Sequence, residues 1–236
     1  MNIDFTREEA VRENPIIELK NEGKRVVQGQ EKIYEISKRV IDVVGALAGI
    51  VVLVPLTIGV SIAKLITNDK GPIFYTQNRI GKDGKNFKMY KFRSMVVGAD
   101  DILQEYLNSN KEANEEYRIN KKLKNDPRVT KIGEFIRKTS IDEFPQFINV
   151  LKGEMSLVGP RPYLPREIND IGEYYPYITS VKPGITGLWQ IRGRNDVTFN
   201  DRLNLDMEYF QKRNLIFETK ILFLTVNSVV HKKGAK

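Results

Sequence analysis

Two adjacent carboxylates, Asp142 and Glu143, are the first residues in this chain that could carry out chemistry. A carboxylate at the positive end of a helix stays ionised, and it can then act as a nucleophile or as a ligand of Mg²⁺. The same residues also suit a helix cap. Either Ser140 is the N-cap with Glu143 as its capping-box partner, or Asp142 is itself the N-cap. The spacing alone leaves catalysis and capping open.

The composition removes most other routes to catalysis. The 236 residues include no cysteine and one histidine, His231. A disulfide framework, a thiolate nucleophile and sulfur-containing zinc sites are therefore excluded. A Ser-His-Asp triad or a multi-histidine metal site has no support either. Any reaction must use carboxylates, lysine, arginine, tyrosine, hydroxyl groups or a hard metal ion.

Basic residues that could bind a phosphorylated partner lie on a predicted strand, at Lys88, Lys91 and Arg93. Alternation along a strand puts Lys91 and Arg93 on one face, where two cations repel each other unless an anion lies between them. With Arg137 and Arg161 they predict a phosphate-binding cluster; the alternative is a solvated strand face. The formal net charge of +8 agrees with nucleic acid, an anionic bilayer or a phosphorylated substrate as the partner.

Glycine and proline recur in three clusters: Gly-Pro-Arg-Pro at 159–162, Pro-Gly-Ile-Thr-Gly at 183–187 and Arg-Gly-Arg at 192–194. The prolines around Arg161 fix the backbone on both sides of its guanidinium, and glycines permit close approach of a ligand. The alternative is that these glycines and prolines only form turns within a loop. The sequence contains no Walker A motif and no dinucleotide-binding fingerprint, so the common nucleotide-binding folds are not indicated.

The element predicted to position these residues is an apolar segment. Residues 43–63 carry no charged side chain, and a helix of this length matches a bilayer core of about 30 Å. The segment starts too far into the chain, and follows too polar a stretch, to be a signal peptide. The alternative is a buried helix of a soluble protein.

The flanks of this segment favour a helix that enters a membrane and returns. Basic residues lie on both sides, so the positive-inside rule gives no orientation, and the simplest solution keeps both ends in the cytoplasm. Pro55 bends a helix, and Thr57 and Ser61 could satisfy the backbone groups that the bend frees.

The remaining elements are predicted from periodicity and turn residues. We expect a polar tail at 1–28, a helix at 31–42, a hairpin of two strands at 72–97 with its turn at 81–84, and a charged helix at 99–124. A short helix at 140–152, a structured loop at 159–194 and a helix at 203–230 that lies on a membrane surface complete the chain.

Seven motifs then follow one another in a specific order: QNRIG at 77–81, YKFRSM at 90–95, DPRVT at 126–130, RKTSIDE at 137–143, NVLKGEMS at 149–156, VGPRP at 158–162 and PGITG at 183–187. In this order they resemble the motifs of the monotopic phosphoglycosyl transferases, the bacterial sugar transferases that prime exopolysaccharide and O-antigen synthesis. The resemblance runs from Tyr34 to Val230. One departure is Val54-Pro55, where the family often has Ser-Pro.

The resemblance implies a reaction and its substrates. A UDP-sugar donates its sugar-1-phosphate to a polyprenol phosphate, undecaprenyl phosphate, and UMP is released. Mg²⁺ neutralises the diphosphate. The implied location is the cytoplasmic face of the bacterial inner membrane, with membrane lipid and other polysaccharide-assembly proteins as further partners and no role for nucleic acid. The charged insert at 99–130 is similar to that of longer enzymes that use galactose or glucose.

The resemblance also assigns roles to residues. Asp142 is implied to be the nucleophile that forms a phosphosugar-enzyme intermediate and to hold the metal in part, with Glu143 as its partner. Lys91 and Arg137 complete the catalytic group. Substrate binding is assigned to Arg93, Arg161, Pro162, Gly184 and Arg79.

The implied fold class is a helix-dominated α+β protein with one re-entrant, Pro-kinked membrane helix, a small β-hairpin and interfacial amphipathic helices. The corresponding division of the chain is a polar tail at 1–30, the re-entrant helix at 31–69 and a cytoplasmic catalytic domain at 70–236.

Two other classes of protein remain open from the residues alone. Charge alone would allow a membrane-tethered nucleic-acid-binding protein, but aromatic residues do not alternate with the basic clusters as a base-stacking platform requires. A catalytically silent scaffold for polysaccharide assembly would keep the fold and tolerate loss of Asp142.

Overall fold

A computed structural model describes residues 28–192 and 197–230 of the chain. The predicted tail up to residue 27, Arg194 of the Arg-Gly-Arg cluster and His231 lie outside these ranges. The described residues form a helix-dominated α+β structure with two small sheets, which confirms the predicted helix-dominated class.

The helices and strands follow one another with short connections. The helices are α1 (Gln28–Ile66), α2 (Ala99–Ser109), α3 (Lys111–Asn120), α4 (Lys131–Lys138), α5 (Gln146–Lys152), α6 (Ile168–Ile171), α7 (Tyr175–Ile178), α8 (Leu188–Arg192), α9 (Phe199–Lys212) and α10 (Leu215–Val230). The strands are β1 (Phe74–Ile80), β2 (Asn86–Phe92), β3 (Ser156–Val158) and β4 (Gly184–Thr186).

The predicted helices at 31–42 and 43–63 are one continuous helix, α1, with Pro55 inside it. The hydroxyls of Thr57 and Ser61 bond to the carbonyls of Leu53 and Thr57 at 2.8 and 2.6 Å. The carbonyl that Pro55 deprives of its N–H donor is that of Val51, four residues earlier. The two hydroxyls therefore do not bond to the carbonyl of Val51, which we expected them to satisfy.

The end of α1 has a clear local cause. Asn68 adopts the left-handed conformation (φ 53°), and its N–H bonds to the carbonyl of Leu65 while the N–H of Asp69 bonds to that of Lys64. This pair of bonds is a Schellman motif, which satisfies the last carbonyls of a helix and reverses the chain.

One face of α1 packs on the rest of the protein, and the other is apolar and exposed. Ala46, Leu53 and Val60 are buried, and Gly49 lies so close to Phe147 that a Cβ atom would overlap the ring. Among the described residues, one helix is long and apolar enough to cross a membrane, at Glu31–Ile66, and only 22% of its most apolar window is buried. The core helix of a soluble protein would be mostly buried, so the alternative of a buried helix does not fit.

Polar contacts attach the first part of α1 to the last helix. Glu218 on α10 accepts hydrogen bonds from Lys38 Nζ and from the Tyr34 hydroxyl, both at 2.7 Å, and a further one from the Tyr209 hydroxyl. The Glu218 carboxylate is buried, so its charge is balanced by Lys38 and its oxygens are held by the two tyrosines.

A second set of contacts attaches α1 to α5 and β3. Arg39 donates to the carbonyl of Val150 at 2.7 Å, near the C-terminal end of α5. The Asp42 carboxylate accepts from the Ser156 hydroxyl at 2.9 Å and from the Leu157 N–H at 2.8 Å. These bonds fix the position of α1 along the body of the protein.

The predicted hairpin is confirmed. Strands β1 and β2 pair antiparallel, with Tyr75 opposite Lys91, and a 3₁₀ turn at Lys82–Gly84 connects them. Asp83 takes the left-handed conformation (φ 57°) that this short turn requires, and aspartate tolerates that conformation better than most residues.

Three predicted segments differ from the structure in detail. The helix expected at 99–124 is two helices, because the Asn110 side chain caps α3 by accepting from the Ala113 N–H at 3.0 Å. The helix expected at 203–230 is likewise divided, into α9 and α10. The loop expected at 159–194 contains β4, which pairs parallel with β3. Strands of three residues give no detectable periodicity.

We predict opposite effects of adding a methyl group at two glycines of α1. Gly49→Ala should destabilise the protein by about 1–3 kcal/mol, because the new Cβ atom overlaps the Phe147 ring. Gly59→Ala is the matched control: nothing lies within 4 Å of its added Cβ, so helix propensity should give a gain of up to about 1 kcal/mol. Thermal unfolding in one detergent measures both, and equal effects at the two positions would contradict the close packing at Gly49.

Candidate active site

The two carboxylates lie on a 3₁₀ turn, Ile141–Glu143, between α4 and α5. Ser140 before them has a positive φ of 58°, and its side chain makes no cap hydrogen bond. Helix α5 begins only at Gln146, with Pro145 at the N-cap position. The capping interpretation of Asp142 and Glu143 is therefore wrong in both of its forms.

A single lysine from the hairpin faces both carboxylates. Lys91 Nζ lies 3.8 Å from Asp142 Oδ2 and 3.2 Å from Glu143 Oε1. Burial raises the pKa of Asp142 to about 6; the charge of Lys91 opposes this shift, that of Glu143 adds to it, and that of Arg137 lowers it. The structure therefore brings Asp142, Glu143, Lys91 and Arg137 within electrostatic reach of one another, as their assignment to one catalytic group requires.

The strand that carries Lys91 is bonded directly to the helix that follows the two carboxylates. The Asn149 side chain on α5 accepts from the Tyr90 N–H at 3.0 Å and donates to the Lys88 carbonyl at 2.8 Å. Asn149 is completely buried. This pair of bonds fixes β2 against α5 and so sets the distance between Lys91 and the carboxylates.

Arg93 lies elsewhere. It is buried, and it donates from Nε to the Pro72 carbonyl at 2.8 Å and from its guanidinium to Asp69. Asp69 also pairs with Lys64 at 2.7 Å, and these bonds hold its pKa below the usual range against the opposing effect of burial. The structure thus gives Arg93 a position in the link between α1 and the hairpin.

The arginine of the Gly-Pro-Arg-Pro cluster is held by a buried carboxylate and by aromatic rings. Asp206 Oδ2 on α9 accepts from the Arg161 N–H at 3.1 Å and from the Tyr163 hydroxyl at 2.8 Å. The Arg161 guanidinium lies 5.6 Å from the centre of the Trp189 ring and 6.0 Å from that of Tyr163. Such contacts orient a guanidinium while leaving its N–H groups available to an anion.

Arg79 and Pro162 meet at the same loop. Arg79 donates to the Pro162 carbonyl at 2.8 Å and to Gln77 Oε1 at 2.6 Å. Burial, together with the neighbouring charge of Arg161, lowers the pKa of Arg79 to about 9. Gly184 donates its N–H to the Pro160 carbonyl at 2.9 Å, so it holds this loop through the backbone.

The hairpin connects the carboxylates to the arginine loop. Residues directly opposite each other in an antiparallel pair share a face, and so do alternate residues along a strand. Lys91, Tyr75, Gln77 and Arg79 therefore share one face of the hairpin. Four residues of strand span about 13 Å, which is the separation of Tyr75 and Arg79 along this face.

Two carboxylates important to this arrangement were not found by sequence reasoning. Asp206 lies between the buried residues Leu205 and Met207 on α9, and an acid inside an apolar run was the available signal. Asp69 directly follows the apolar segment, and nothing in its local pattern predicts that it pairs with Arg93.

The residues available for a magnesium ion are few but suitable. Among the described residues no group of three or more acidic or histidine side chains could hold a metal. Mg²⁺ is usually bound through one or two carboxylates, with water and substrate phosphates as the other ligands. The adjacent carboxylates of Asp142 and Glu143 fit this pattern of binding.

Comparisons with known proteins identify the family of this chain. The family model described as bacterial sugar transferase matches residues 33–232. Over 198 residues the chain is 46% identical to a UDP-galactose-lipid carrier transferase of Erwinia amylovora, covering 84% of this chain and 41% of that protein. It is 42% identical over 200 residues to the exopolysaccharide production protein ExoY of Sinorhizobium fredii, covering 85% and 88% of the two chains.

This chain therefore belongs to the bacterial sugar transferase family, as the motifs indicated. An undecaprenyl-phosphate galactose phosphotransferase of Salmonella typhimurium is 44% identical over 198 residues, which cover 84% of this chain and 41% of that protein. The chain thus matches about two fifths of the length of the Erwinia and Salmonella relatives and most of ExoY.

We predict that the stability provided by Asp206 depends on pH. Burial raises the pKa of Asp206 to about 7, although its hydrogen bonds and neighbouring arginines oppose the shift. The folded protein then holds this proton more tightly than the unfolded chain does, so folding loses stability as the pH rises towards 7. The side chain at position 206 of the Asp206→Asn variant does not ionise. The variant's loss of unfolding free energy relative to the wild type should therefore shrink by on the order of 2 kcal/mol between pH 5 and pH 8.

Denaturant unfolding at several pH values measures this difference. Asp101→Asn, which changes an exposed carboxylate on α2, is the control and should show a constant difference from the wild type. Parallel pH curves for Asp206→Asn and the wild type would contradict a raised pKa at Asp206.

Proposed function

We propose that this protein transfers sugar-1-phosphate from a UDP-sugar to undecaprenyl phosphate, releasing UMP, as the first membrane step of polysaccharide synthesis. The observation that carries the proposal is the buried Asp142 carboxylate beside Glu143 and Lys91, in a member of the bacterial sugar transferase family. The names of the Erwinia and Salmonella relatives point to the same class of donor and acceptor. Nothing in the structure favours a nucleic-acid-binding protein or a silent scaffold.

In the proposed reaction, an ionised oxygen of Asp142 attacks the β-phosphorus of the UDP-sugar. An Asp–O–P bond forms, the bond from the β-phosphorus to the bridging oxygen breaks, and UMP leaves with the electron pair. An oxygen of undecaprenyl phosphate then attacks the phosphosugar-enzyme intermediate and regenerates the carboxylate. Lys91 and Arg137 offset the negative charge that accumulates, and Lys91 also keeps Asp142 ionised in its buried position.

Mg²⁺ is the cofactor we propose, held by Asp142 and Glu143 together with the substrate phosphates. When bound, it would neutralise the diphosphate so that an anionic nucleophile can approach. We expect excess chelator to abolish UMP release.

We also propose that the protein is monotopic, with α1 entering the inner membrane from the cytoplasmic side and returning. Its support is the attachment of both ends of α1 to one body, through Lys38 and Glu218 at one end and through Lys64, Asp69 and Arg93 at the other. A spanning helix would place these ends on opposite sides. The proposed units are the tail at 1–30, the membrane helix at 31–69 and the catalytic domain at 70–236, with the exposed apolar side chains of α10 at the lipid surface.

The proposed mechanism predicts different results for the two acids. Asp142→Asn should reduce UMP release by about 10⁴-fold or more and leave no trapped radiolabelled sugar phosphate, because an amide cannot form the acyl phosphate. Glu143→Gln should slow turnover by about 10²-fold and still give some labelled protein. UMP release from a series of UDP-sugars with undecaprenyl phosphate, and labelling of the denatured protein, measure these effects.

The exposed carboxylate Asp101 provides the control, and Asp101→Asn should match the wild type in both assays. Labelled protein recovered from Asp142→Asn at the wild-type yield would remove Asp142 as the nucleophile. A wild-type protein that releases UMP from no UDP-sugar would overturn the proposed function.

The monotopic topology predicts that both ends of α1 are protected from reagents outside the cytoplasm. Lys32 and Lys70 are exposed in the structure. Replacing either of them by cysteine gives a variant with a single cysteine. Neither variant should react with a membrane-impermeant thiol reagent in intact cells, and both should react after lysis. Reaction of one variant alone in intact cells would show that α1 spans the membrane.

A further inference from the structure

A cleft of about 390 Å³ lies along β1, between this strand and the loop that follows the Gly-Pro-Arg-Pro cluster. Leu164, Pro165 and Arg166 form its opposite wall, and Asp100 at the start of α2 lies at its rim. The volume falls within the range of about 300–1,000 Å³ that is typical of small-molecule sites. None of the roles assigned above occupies this cleft.

The cleft lies between the two ends of the site. Tyr75, at one end of the lining, is directly opposite Lys91, which contacts the two carboxylates. Gln77, further along the lining, is bonded to Arg79, and Arg79 is bonded to the arginine loop at Pro162. A ligand in the cleft is therefore next to the position where the phosphate must be attacked.

The polar groups of this cleft include the Gln77 amide, the Asp100 carboxylate and the Arg166 guanidinium, a mixture of donors and acceptors that suits hydroxyl groups. Arg79 occupies Oε1 of Gln77, which leaves the two N–H donors of the Gln77 amide for a ligand. The Asp100 side chain is 71% exposed, and its nearest cation is Arg166 at 3.9 Å. A carboxylate at the rim repels phosphate, whereas carboxylates and amides both bond to sugar hydroxyls.

The insert that carries Asp100 is bonded to the opposite wall of the cleft. Arg166 donates to the Tyr117 hydroxyl on α3 at 3.3 Å, and Lys121, which follows α3, pairs with Asp170 at 3.0 Å. These contacts attach the insert of α2 and α3 to the segment at 164–171. Asp100 therefore has a defined position at the rim.

We propose that this cleft is the hexose-binding subsite of the UDP-sugar donor, in which Gln77 donates to a sugar hydroxyl and Asp100 reads the hydroxyl farthest from the phosphate. This inference rests on the proposed function. In a hexose the C4 hydroxyl lies across the ring from the anomeric carbon, and its configuration distinguishes galactose from glucose. Asp100 at the rim is therefore the residue that discriminates between these epimers.

The test compares two variants with matched controls in the full-length protein. Asp100→Asn should change the ratio of kcat/KM for UDP-galactose and UDP-glucose by roughly fivefold or more, since a hydrogen bond to a charged group is lost. Gln77→Glu keeps an acceptor for Arg79 but removes the amide donors, so it should raise KM for the UDP-sugars by roughly fivefold. Asp101→Asn and Gln104→Glu make the same chemical changes at exposed positions on α2 and should leave both quantities unchanged.

Inhibition by UMP, which has no sugar, separates this subsite from the nucleotide site. Its Ki should stay within twofold of the wild type in both cleft variants. If the epimer ratio and KM do not change, or if the Ki of UMP changes as much as KM does, the cleft is not the hexose subsite although the transferase reaction stands. A wild type that is inactive with every UDP-sugar would overturn the proposed function and the subsite together.

Discussion

The burial of a carboxylate beside a single lysine is the interaction on which the rest of this structure depends. Desolvation raises the pKa of Asp142, and the charge of the Lys91 ammonium group opposes that shift. The two groups come from distant parts of the sequence, so their distance has to be fixed by packing. Asn149 does this through its two bonds to the backbone of β2. The position of the hairpin on α5 is therefore part of the chemistry of the site.

The long helix extends this constraint to the whole protein. Arg39 bonds to the end of α5, and Asp42 bonds to β3, so α1 contacts the two elements that follow the carboxylates in the chain. At the other end Asp69 joins Lys64 of α1 to Arg93, two residues beyond Lys91. Any displacement of α1 would thus act on both the helix after the carboxylates and the strand that carries the lysine.

The sequence predicted the features that have a local cause. The apolar segment and the hairpin with its turn follow from periodicity and turn residues, and the proximity of Asp142 and Glu143 to Lys91 agrees with the grouping that the motifs implied. The interpretation of Asp142 as a cap failed because a 3₁₀ turn at Ile141–Glu143 precedes α5, which begins only at Gln146. Arg93 lies two residues after Lys91, a spacing that predicts a shared strand face, yet its guanidinium donates a hydrogen bond to Asp69. Pairings across long separations, such as Arg161 with Asp206, depend on tertiary packing and could not be predicted.

The attachment of α1 at both ends limits how its sequence can change. About 33 Å of helix separate Asp42 from Lys64, and each added residue turns the helix by about 100°. A one-residue insertion between Asp42 and Gly49 would rotate Gly49 away from Phe147 and the Lys64–Asp69 pair away from Arg93. Outward-facing side chains can be exchanged freely among apolar types, but the length between the anchors cannot change. In the proposed membrane arrangement, adaptation to a thicker or thinner bilayer would therefore come from the composition of the outer face and not from a longer or shorter helix.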